Sequence, residues 1–544
     1  MNKVDFLDIP KEFLSSAVLI DDDLRFPGTV EINEDVADEL VIPDLDDDFG
    51  TVLQGHEPAA AEAQKSQIDP ELVVDGFSDL GLICSTYHWK SGHSEAPKST
   101  EKADLIIVDW KLKDSGENAV KILIDRLEKD MSGRNRLRYI AIYTDQPSTK
   151  VITTVAEKLS TIGGVEAQAD GDAVNVQLSH GASVWRIKHI PKKTIEEKDL
   201  ATKILEDFAE FQDGILPRMV MAAIAEVRNH TYEHLFRFNR SLDDALSAHL
   251  LAKRSSKMEF PSSQESFADY TANLVLEDLA ASLFSSQLVA SVTSKQEVER
   301  CLKLDSEREL KLLEGEDTTP QKFEPEKLKK IFSEQEYPQL RKAIKDGFKL
   351  ESSQARKFER AELPVVFGNV TDQDLAKIAN LDKVSSYPKE IDLRHQLKSG
   401  TIVKKLDPEK DEPEYFLCVQ PICDAVRLKK TTAFPLLKLR KVELTDNFRF
   451  PIAEGNRYFG LTTSFKLSTV NMVEFAPDDQ TLDVRTQKTP QANSPKVFKC
   501  VTNQEFIWIA ELKPHYAAEA QAALASQGGR IGNDKFEWLR RKAS

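Results

Sequence analysis

The stretch ADLIIVDWKLKDSG at residues 103–116 decides the fold of the first part of the chain. Its opening, ADLIIVD, is nearly all apolar and closes on Asp109. A short continuous apolar run of this kind is typical of a strand that is covered on both faces of a parallel sheet. The sequence therefore predicts a buried strand that ends in a carboxylate.

Similar runs occur on either side of this stretch and alternate with amphipathic segments. Strands are predicted at residues 17–20 (AVLI), 82–89, 139–144 and 184–190, and helices at residues 71–80, 118–129, 150–161 and 196–212. Turn residues around short alternating runs predict an inserted hairpin at residues 163–181. Strand–helix alternation at this spacing predicts a doubly wound parallel sheet with helices on both faces, an α/β fold.

The length of 544 residues predicts about three domains. We assign residues 1–215 to the α/β domain, which includes an acidic insert at residues 31–50. Residues 216–360 carry i, i+3, i+4 apolar spacing and are predicted to be almost wholly helical, with one helix at residues 297–313. Short β-like runs separated by Pro, Gly and Asp predict a β-rich domain of unknown role at residues 361–544.

Composition excludes several classes of protein. With 73 Lys and Arg against 90 Asp and Glu, the net charge of −17 disfavours sequence-blind binding of nucleic acid by the whole chain. No apolar run approaches the roughly 20 residues of a membrane helix, and the acidic N-terminus, broken by Pro10, is not a signal peptide. The five scattered cysteines, without a CxxC pair, predict a reducing cytoplasm.

Acids and a hydroxyl follow three of the predicted strands. Asp21 and Asp22 follow the first strand, Asp109 the third and Thr144 the fourth. Ligands of open α/β sheets bind beyond the carboxyl ends of the strands, and clustered carboxylates there require a cation. Hard oxygen donors suit Mg²⁺, and a carboxylate beside Mg²⁺ can attack a phosphoryl group to form an acyl phosphate.

These elements resemble the receiver domain of two-component response regulators. The resemblance lies in LIDDD (19–23), IIVDWKLKDSG (106–116) and IAIYT (140–144). It implies that Asp109 is the phosphoacceptor and that Mg²⁺ is held by Asp21, Asp22, Asp109 and the carbonyl of Lys111. It also implies that Thr144 is the switch hydroxyl and that a sensor histidine kinase is the phosphodonor.

The family also carries a lysine at the end of its fifth strand. We assign Lys193 to this position, because Leu200, seven residues on, fits the start of the last helix; Lys188 is the alternative. The family usually has an aromatic residue three positions earlier. That position holds Ile190 for Lys193 and Trp185 for Lys188, so either the aromatic residue is missing or Lys193 is the wrong choice.

Other readings remain open. A receiver-like domain that never takes phosphate is one, since acids after strands also serve as helix N-caps. His230 and His234 share a helix face and are either a phosphotransfer or metal pair or, more simply, packed histidines. Cys423 with His515 forms a nucleophile–base pair or, more simply, Cys423 is a small buried hydrophobe. Basic clusters at residues 327–330, 427–430 and 438–441 favour solvated faces over a nucleic-acid groove.

Residues 216–544 carry no signature of the common response-regulator outputs, which are a winged helix, an ATPase or a cyclic-nucleotide enzyme. The whole layout, with a CD-x-x-R element at residues 423–427, resembles the receiver-only component of a Detocs-type anti-phage two-component system. That resemblance implies a phosphate sink or modulator that is not an enzyme beyond its own metal-assisted phosphorylation. It also implies a further partner, an effector of the same system that contains a second receiver domain. The alternative is a phosphorylation-gated effector whose C-terminal domain is an enzyme or a nucleic-acid-binding module.

Overall fold

A computed structural model shows two compact units, residues 1–231 with 281–302 and residues 232–280 with 303–544. The structure describes residues 6–24, 68–90, 95–132, 136–178, 183–255, 267–312, 320–333, 337–350, 354, 356, 365–385, 394–406, 412–444, 448–455, 457–479, 481–487 and 494–528. The acidic insert at residues 31–50 lies outside these residues. The predicted boundaries at 215 and 360 stay predictions.

The helices and strands are numbered in chain order. The helices are α1 (Asp8–Phe13), α2 (Pro70–Asp79), α3 (Gly116–Ser132), α4 (Ser148–Leu159), α5 (Leu200–Phe211), α6 (Ile215–Asn229), α7 (Thr231–Arg237), α8 (Asp243–Ser255), α9 (Phe267–Ser285), α10 (Gln287–Val292), α11 (Lys295–Cys301), α12 (Pro325–Ser333), α13 (Tyr337–Phe348), α14 (Asp372–Lys383) and α15 (Pro514–Gly528). The strands are β1 (Ser16–Asp21), β2 (Ile83–His88), β3 (Leu105–Val108), β4 (Arg138–Tyr143), β5 (Val165–Asp170), β6 (Ala173–Leu178), β7 (Ser183–Ile190), β8 (Arg308–Leu312), β9 (Gln321–Phe323), β10 (Val365–Phe367), β11 (Thr401–Lys405), β12 (Glu414–Cys418), β13 (Thr432–Val442), β14 (Phe450–Glu454), β15 (Arg457–Thr462), β16 (Val470–Phe475), β17 (Val497–Lys499) and β18 (Glu505–Glu511).

The first unit is built on one sheet in the order β2-β1-β3-β4-β7-β6-β5. The four pairs β2–β1, β1–β3, β3–β4 and β4–β7 are parallel. They confirm the predicted parallel α/β arrangement. Buried β3 separates two cores: Ile106 and Val108 pack with α3 and α4 on one face, and Leu105 and Ile107 pack with α2 and α5 on the other. Coverage of both faces explains why this strand is apolar throughout.

The sheet is mixed rather than wholly parallel, which corrects the predicted fold. Strands β5 and β6 form the inserted hairpin, and β6 pairs antiparallel with β7. The hairpin turns at Gly171, which has a positive φ of 61°, a conformation that glycine adopts without steric cost. As a result β7 is an interior strand, paired on both sides.

A buried ion-pair network closes the end of this sheet opposite Asp109. Arg138 starts β4 and is 1% exposed. Its guanidinium pairs with the carboxylate of Asp130 on α3 and donates to the carbonyls of Thr100 and Ala103 at 2.8 and 2.7 Å. Arg126 also donates to Asp130, at 3.1 Å. The network therefore joins α3 and the segment before β3 to the start of β4.

We expect Arg138→Met to lower the free energy of unfolding of this unit by about 3–5 kcal/mol, because it leaves buried groups without their partner. Hydrogen exchange of the β4 amides in the full chain measures the change. Exposed Arg136→Met removes the same charge two residues away and is expected to change that free energy by less than about 0.5 kcal/mol. Equal exchange in the two variants would contradict the assignment.

The middle region departs from the prediction of an almost wholly helical stretch at residues 216–360. The predicted helix at 297–313 ends with α11 at Cys301. Lys303 then has a left-handed φ of 53°, which an α-helix does not tolerate. The chain continues as β8, which pairs antiparallel with β9 and β10 in a small sheet. The neighbouring segments α12 and α13 are helical as predicted.

The β-rich C-terminal sheet is present, in the order β14-β15-β13-β12-β11-β18-β17 with β16 added on β13. Alternate residues of its strands enter two cores. Leu417 of β12 packs with Leu437 on one face, and Phe416 and Cys418 pack with Leu436 on the other. Period-two burial on both faces accounts for the apolar character of the predicted runs.

A buried histidine makes the stability of this sheet depend on pH. The ring of His395, 7% exposed, stacks on Trp508 with the centroids 3.8 Å apart. Burial first, and then the charges of Lys496 and Lys398, lower the pKa of His395 to about 4. The unfolded chain, with a histidine pKa near 6.5, therefore binds a proton that the folded chain does not between these two values.

We expect the free energy of unfolding of the C-terminal sheet to hold above about pH 6.5 and to fall as the pH drops from there toward 4, with a contribution from His395 of roughly 1–3 kcal/mol. Urea titrations of the full chain at pH 7.5 and 4.5 measure this loss. His395→Phe keeps a ring on Trp508 but does not titrate, so its loss over the same range should be smaller. An identical loss in the variant would show that other groups cause the pH dependence.

Within the described residues, none of the helices has both the length and the apolar content that crossing a membrane requires.

Candidate functional site

The parallel register brings two of the predicted acids together. Ile20 of β1 pairs with Val108 of β3, and the N–H of Asp109 donates to the carbonyl of Ile20 at 3.0 Å. Asp21 and Asp109 are therefore neighbours at the carboxyl ends of adjacent strands. The side chain of Asp21 is 1% exposed and that of Asp109 is 10% exposed, so only Asp109 keeps contact with solvent.

Lys192 bridges these two carboxylates. Its Nζ lies 2.9 Å from Oδ1 of Asp109 and 3.2 Å from Oδ2 of Asp21. The ammonium also lies 5.6 Å from the ring centroid of Tyr143 at the end of β4. Burial lowers the pKa of Lys192, but the two carboxylates outweigh burial and raise it above its usual value. Lys192 is therefore a charged lysine held in place by both acids.

One ammonium does not balance two buried carboxylates. Burial first raises the pKa of Asp21, and the charge of Asp109 raises it further. Lys192 and the N–H of Asp23, 2.6 Å from Oδ1, lower it, and the result is about 6. The two carboxylates therefore carry more negative charge than the single ammonium of Lys192 compensates. Such an imbalance favours the binding of a cation at this edge of the sheet.

The loop after Asp109 holds the third predicted acid. Asp22 accepts the N–H of Lys113 at 2.7 Å, and Lys113 has a left-handed φ of 51°. The N–H of Lys111 donates to Oδ2 of Asp109 at 2.8 Å. A Cβ at Gly116 would lie 2.4 Å from the indole of Trp110, so only glycine lets Trp110 fold over the end of this loop.

Thr144 lies one residue beyond β4 and is 2% exposed. Its N–H donates to the carbonyl of Ile190 at 3.0 Å, which places it next to the end of β7. Its hydroxyl accepts the N–H of Gln146 at 3.4 Å. The carbonyl of Gln146 in turn lies 2.9 Å from Nε2 of His189. The threonine is thus fixed at the same edge as the acids.

The structure places neither predicted lysine at the acids. Lys193 is exposed, and its main-chain N–H donates to the carboxylate of Asp145 at 2.8 Å. Lys188 pairs with Asp172 of the hairpin at 2.6 Å. Because the strand ends at Ile190, the first lysine after Pro191 reaches back over the edge. The sequence feature that could have identified Lys192 is its position directly after Pro191, the residue that follows β7.

The donor chemistry of this edge fits Mg²⁺. Asp21, Asp22 and Asp109 offer hard oxygens, the carbonyl of Lys111 adds a neutral one, and the buried pair lacks positive charge. Within the described residues, however, no three His, Cys, Asp or Glu side chains come together closely enough to hold a metal. One oxygen of Asp22, Oδ2, accepts the N–H of Lys113, which leaves the other oxygen of that carboxylate as the donor for a metal.

The remaining candidate residues lie apart from this edge. His230 Nδ1 lies 3.0 Å from Glu226 and His234 Nδ1 lies 2.7 Å from Asp278, so each histidine pairs with a different carboxylate. Burial, followed by the charge of Asp424, raises the pKa of Cys423, which makes it a poorer nucleophile. The ring of His515 packs against Tyr516, and the described residues show no contact between Cys423 and His515.

A comparison with protein families connects this edge to a known class. Residues 13–193, about a third of the chain, match the family model for a response receiver domain. The match supports the response-regulator receiver family for this part of the chain. Receiver domains generally use Mg²⁺ at the phosphorylation site, and they imply a phosphodonor such as a histidine kinase. Searches of curated proteins and of solved structures returned no match.

Proposed function

Taking the receiver domain of residues 13–193 as the premise, we propose that the chain accepts a phosphoryl group on Asp109 from a sensor histidine kinase. The observation that carries this proposal is the shared contact of Lys192 with Asp109 and Asp21 at 2.9 and 3.2 Å. It leaves one carboxylate at the solvent edge with a cation beside it, which is the arrangement that phosphoryl transfer needs.

The transfer is a displacement at phosphorus. A carboxylate oxygen of Asp109 forms the new O–P bond while the P–N bond of the phosphohistidine breaks, and the electron pair of that bond leaves with the imidazole. The ammonium of Lys192 offsets the negative charge of the phosphoryl oxygens, and the hydroxyl of Thr144 donates a hydrogen bond to one of them. Asp21, Asp22, Asp109 and the carbonyl of Lys111 would hold Mg²⁺, which supplies further positive charge.

Intact-mass spectrometry of the full chain tests this function. After incubation with acetyl phosphate and Mg²⁺ we expect the mass of one added phosphoryl group, removable by hydroxylamine as an acyl phosphate is. With EDTA in place of Mg²⁺ we expect the yield to fall at least tenfold, because the acids then lack the cation that compensates them. Phosphorylation that is equal in EDTA, or resistant to hydroxylamine, would contradict the proposal.

We further propose that the chain is a phosphate sink in a Detocs-type anti-phage system, without enzymatic activity beyond its own phosphorylation. The resemblance of the whole layout supports this role. Adding the chain to a phosphorylated sensor kinase of such a system should slow phosphorylation of the receiver-containing effector. The Asp109→Asn chain should not slow it. If an excess of the wild-type chain leaves effector phosphorylation unchanged, the sink role is wrong.

A phosphorylation-gated effector is the second candidate function. One observation favours it, namely a cleft of about 730 Å³ in the C-terminal sheet that is lined in part by the exposed residues Lys438, Arg440 and Lys441.

A further inference from the structure

The turn after β7, residues 191–195, is held at three points by the end of β4. The first contact joins the N–H of Thr144 to the carbonyl of Ile190 at 3.0 Å, where the turn begins. The second joins the main-chain N–H of Lys193 to the carboxylate of Asp145 at 2.8 Å. Both contacts fix the main chain of the turn rather than a side chain that the turn carries.

Tyr143 makes the third contact, and it reaches Lys192 as well. Its hydroxyl donates to the carbonyl of Ile195 at 2.8 Å, where the turn ends. Its ring centroid lies 5.6 Å from the Nζ of Lys192. Tyr143 is 2% exposed, pairs in register with Ile190 and shares its apolar core. Strand pairing, packing and a hydrogen bond therefore hold this ring in one place.

The side chain of Lys192 depends on such support. It is long and flexible, and its ammonium has to meet two carboxylates at once, Asp109 at 2.9 Å and Asp21 at 3.2 Å. Because Lys192 lies inside the turn, movement of the turn would carry the ammonium away from both acids. The face of an aromatic ring also attracts an ammonium, so Tyr143 acts on the turn and on the charged group together.

We propose that Tyr143 is the positioning residue for Lys192 in phosphoryl transfer. The effect on the rate rests on the proposed function of Asp109. In this role Tyr143 does not touch the phosphoryl group. It keeps the ammonium beside Asp109 before the phosphoryl group arrives, so that no rearrangement is needed when negative charge develops there.

A tyrosine of the same strand provides the comparison with a purely structural role. Tyr139 is 1% exposed and belongs to the same core as Tyr143. Four residues separate the two positions, about 13 Å along a strand, and an even spacing places both on one face of β4. Tyr139 lies near the start of β4, away from the acids. Tyr139→Phe is therefore the matched control for Tyr143→Phe.

A double-mutant cycle on the full chain tests the proposal through the rate. With acetyl phosphate and Mg²⁺, we expect Tyr143→Phe to lower the rate of phosphoryl acceptance about 5- to 20-fold, since small misplacements of a reacting group are costly. Tyr139→Phe should stay within about twofold of the wild type. In the Lys192→Met chain, Tyr143→Phe should change the rate by less than about twofold, because the group that it positions is gone. An equal fall in both backgrounds would overturn the proposal.

Competitive acylation of the unphosphorylated full chain tests the position of Lys192 without phosphoryl transfer. Trace acetic anhydride, digestion with a protease that does not cut at lysine and fragment mass spectrometry give the labelling ratio of Lys192 to exposed Lys193. We expect this ratio to rise at least threefold in Tyr143→Phe and not in Tyr139→Phe. An unchanged ratio would overturn the positioning role. A raised ratio in a chain whose wild type takes no phosphate would support that role and overturn only the proposed function of Asp109.

Discussion

Asp109→Asn is expected to abolish phosphoryl acceptance by the full chain. The amide of asparagine is not a nucleophile toward phosphorus. Asparagine is chosen because its side chain has nearly the same shape as the carboxylate that it replaces. No other described side chain combines the position of Asp109 with its exposure, because Asp21 is only 1% exposed and Asp22 faces Lys113. Intact-mass spectrometry after incubation with acetyl phosphate and Mg²⁺ measures the loss.

The fold of this variant is expected to survive, because the substitution removes one of two buried negative charges that share a single ammonium. A melting temperature at or above that of the wild type checks this. Asp79→Asn, a change of the same kind at an exposed position of α2, should accept phosphate normally. Retention of the phosphoryl group by the Asp109→Asn chain would show that the acceptor is another residue.

Lys192→Met is expected to lower the rate of phosphoryl acceptance by about 10²–10³-fold, the usual cost of removing one preorganised donor from a developing anion. The ammonium lies 2.9 Å from Asp109, so it is in place before the phosphoryl group arrives. Time courses of the phosphorylated fraction, followed by mass spectrometry, give the rate.

Lys193→Met is the matched control, because Lys193 is the next residue and its contribution to the turn is a main-chain N–H that methionine also has. Its rate should stay within about twofold of the wild type. A large loss in the Lys193 variant with a small loss in the Lys192 variant would reverse the assignment and restore the lysine predicted from sequence.

The difference between these two lysines shows where the sequence stops being informative. Apolar runs are sufficient to locate β3 and its terminal Asp109, because burial on both faces leaves a continuous apolar run that is easy to recognise. Which of two adjacent lysines reaches the acids depends on where β7 ends and on the turn at Pro191. That is a shift of a single residue, and periodicity does not resolve it.

The loop that holds Asp22 was beyond prediction for a related reason. Its contact with Lys113 involves a residue in the left-handed conformation, and lysine gives no sequence signal for that conformation. The same cause ends the predicted helix at 297–313 early, since Lys303 is also left-handed. Where a residue other than glycine adopts a left-handed conformation, tertiary contacts rather than the conformational propensity of that residue determine it.

The inserted hairpin has a consequence for how copies of the chain behave at high concentration. It makes β5 the outermost strand on its side of the first sheet, and an outermost strand offers unsatisfied N–H and C=O groups to any strand that approaches. Glu166 and Asp170 are exposed along β5. If the β5 strands of two copies approached each other, Glu166 would meet like charge, which we expect to oppose pairing of the two edges.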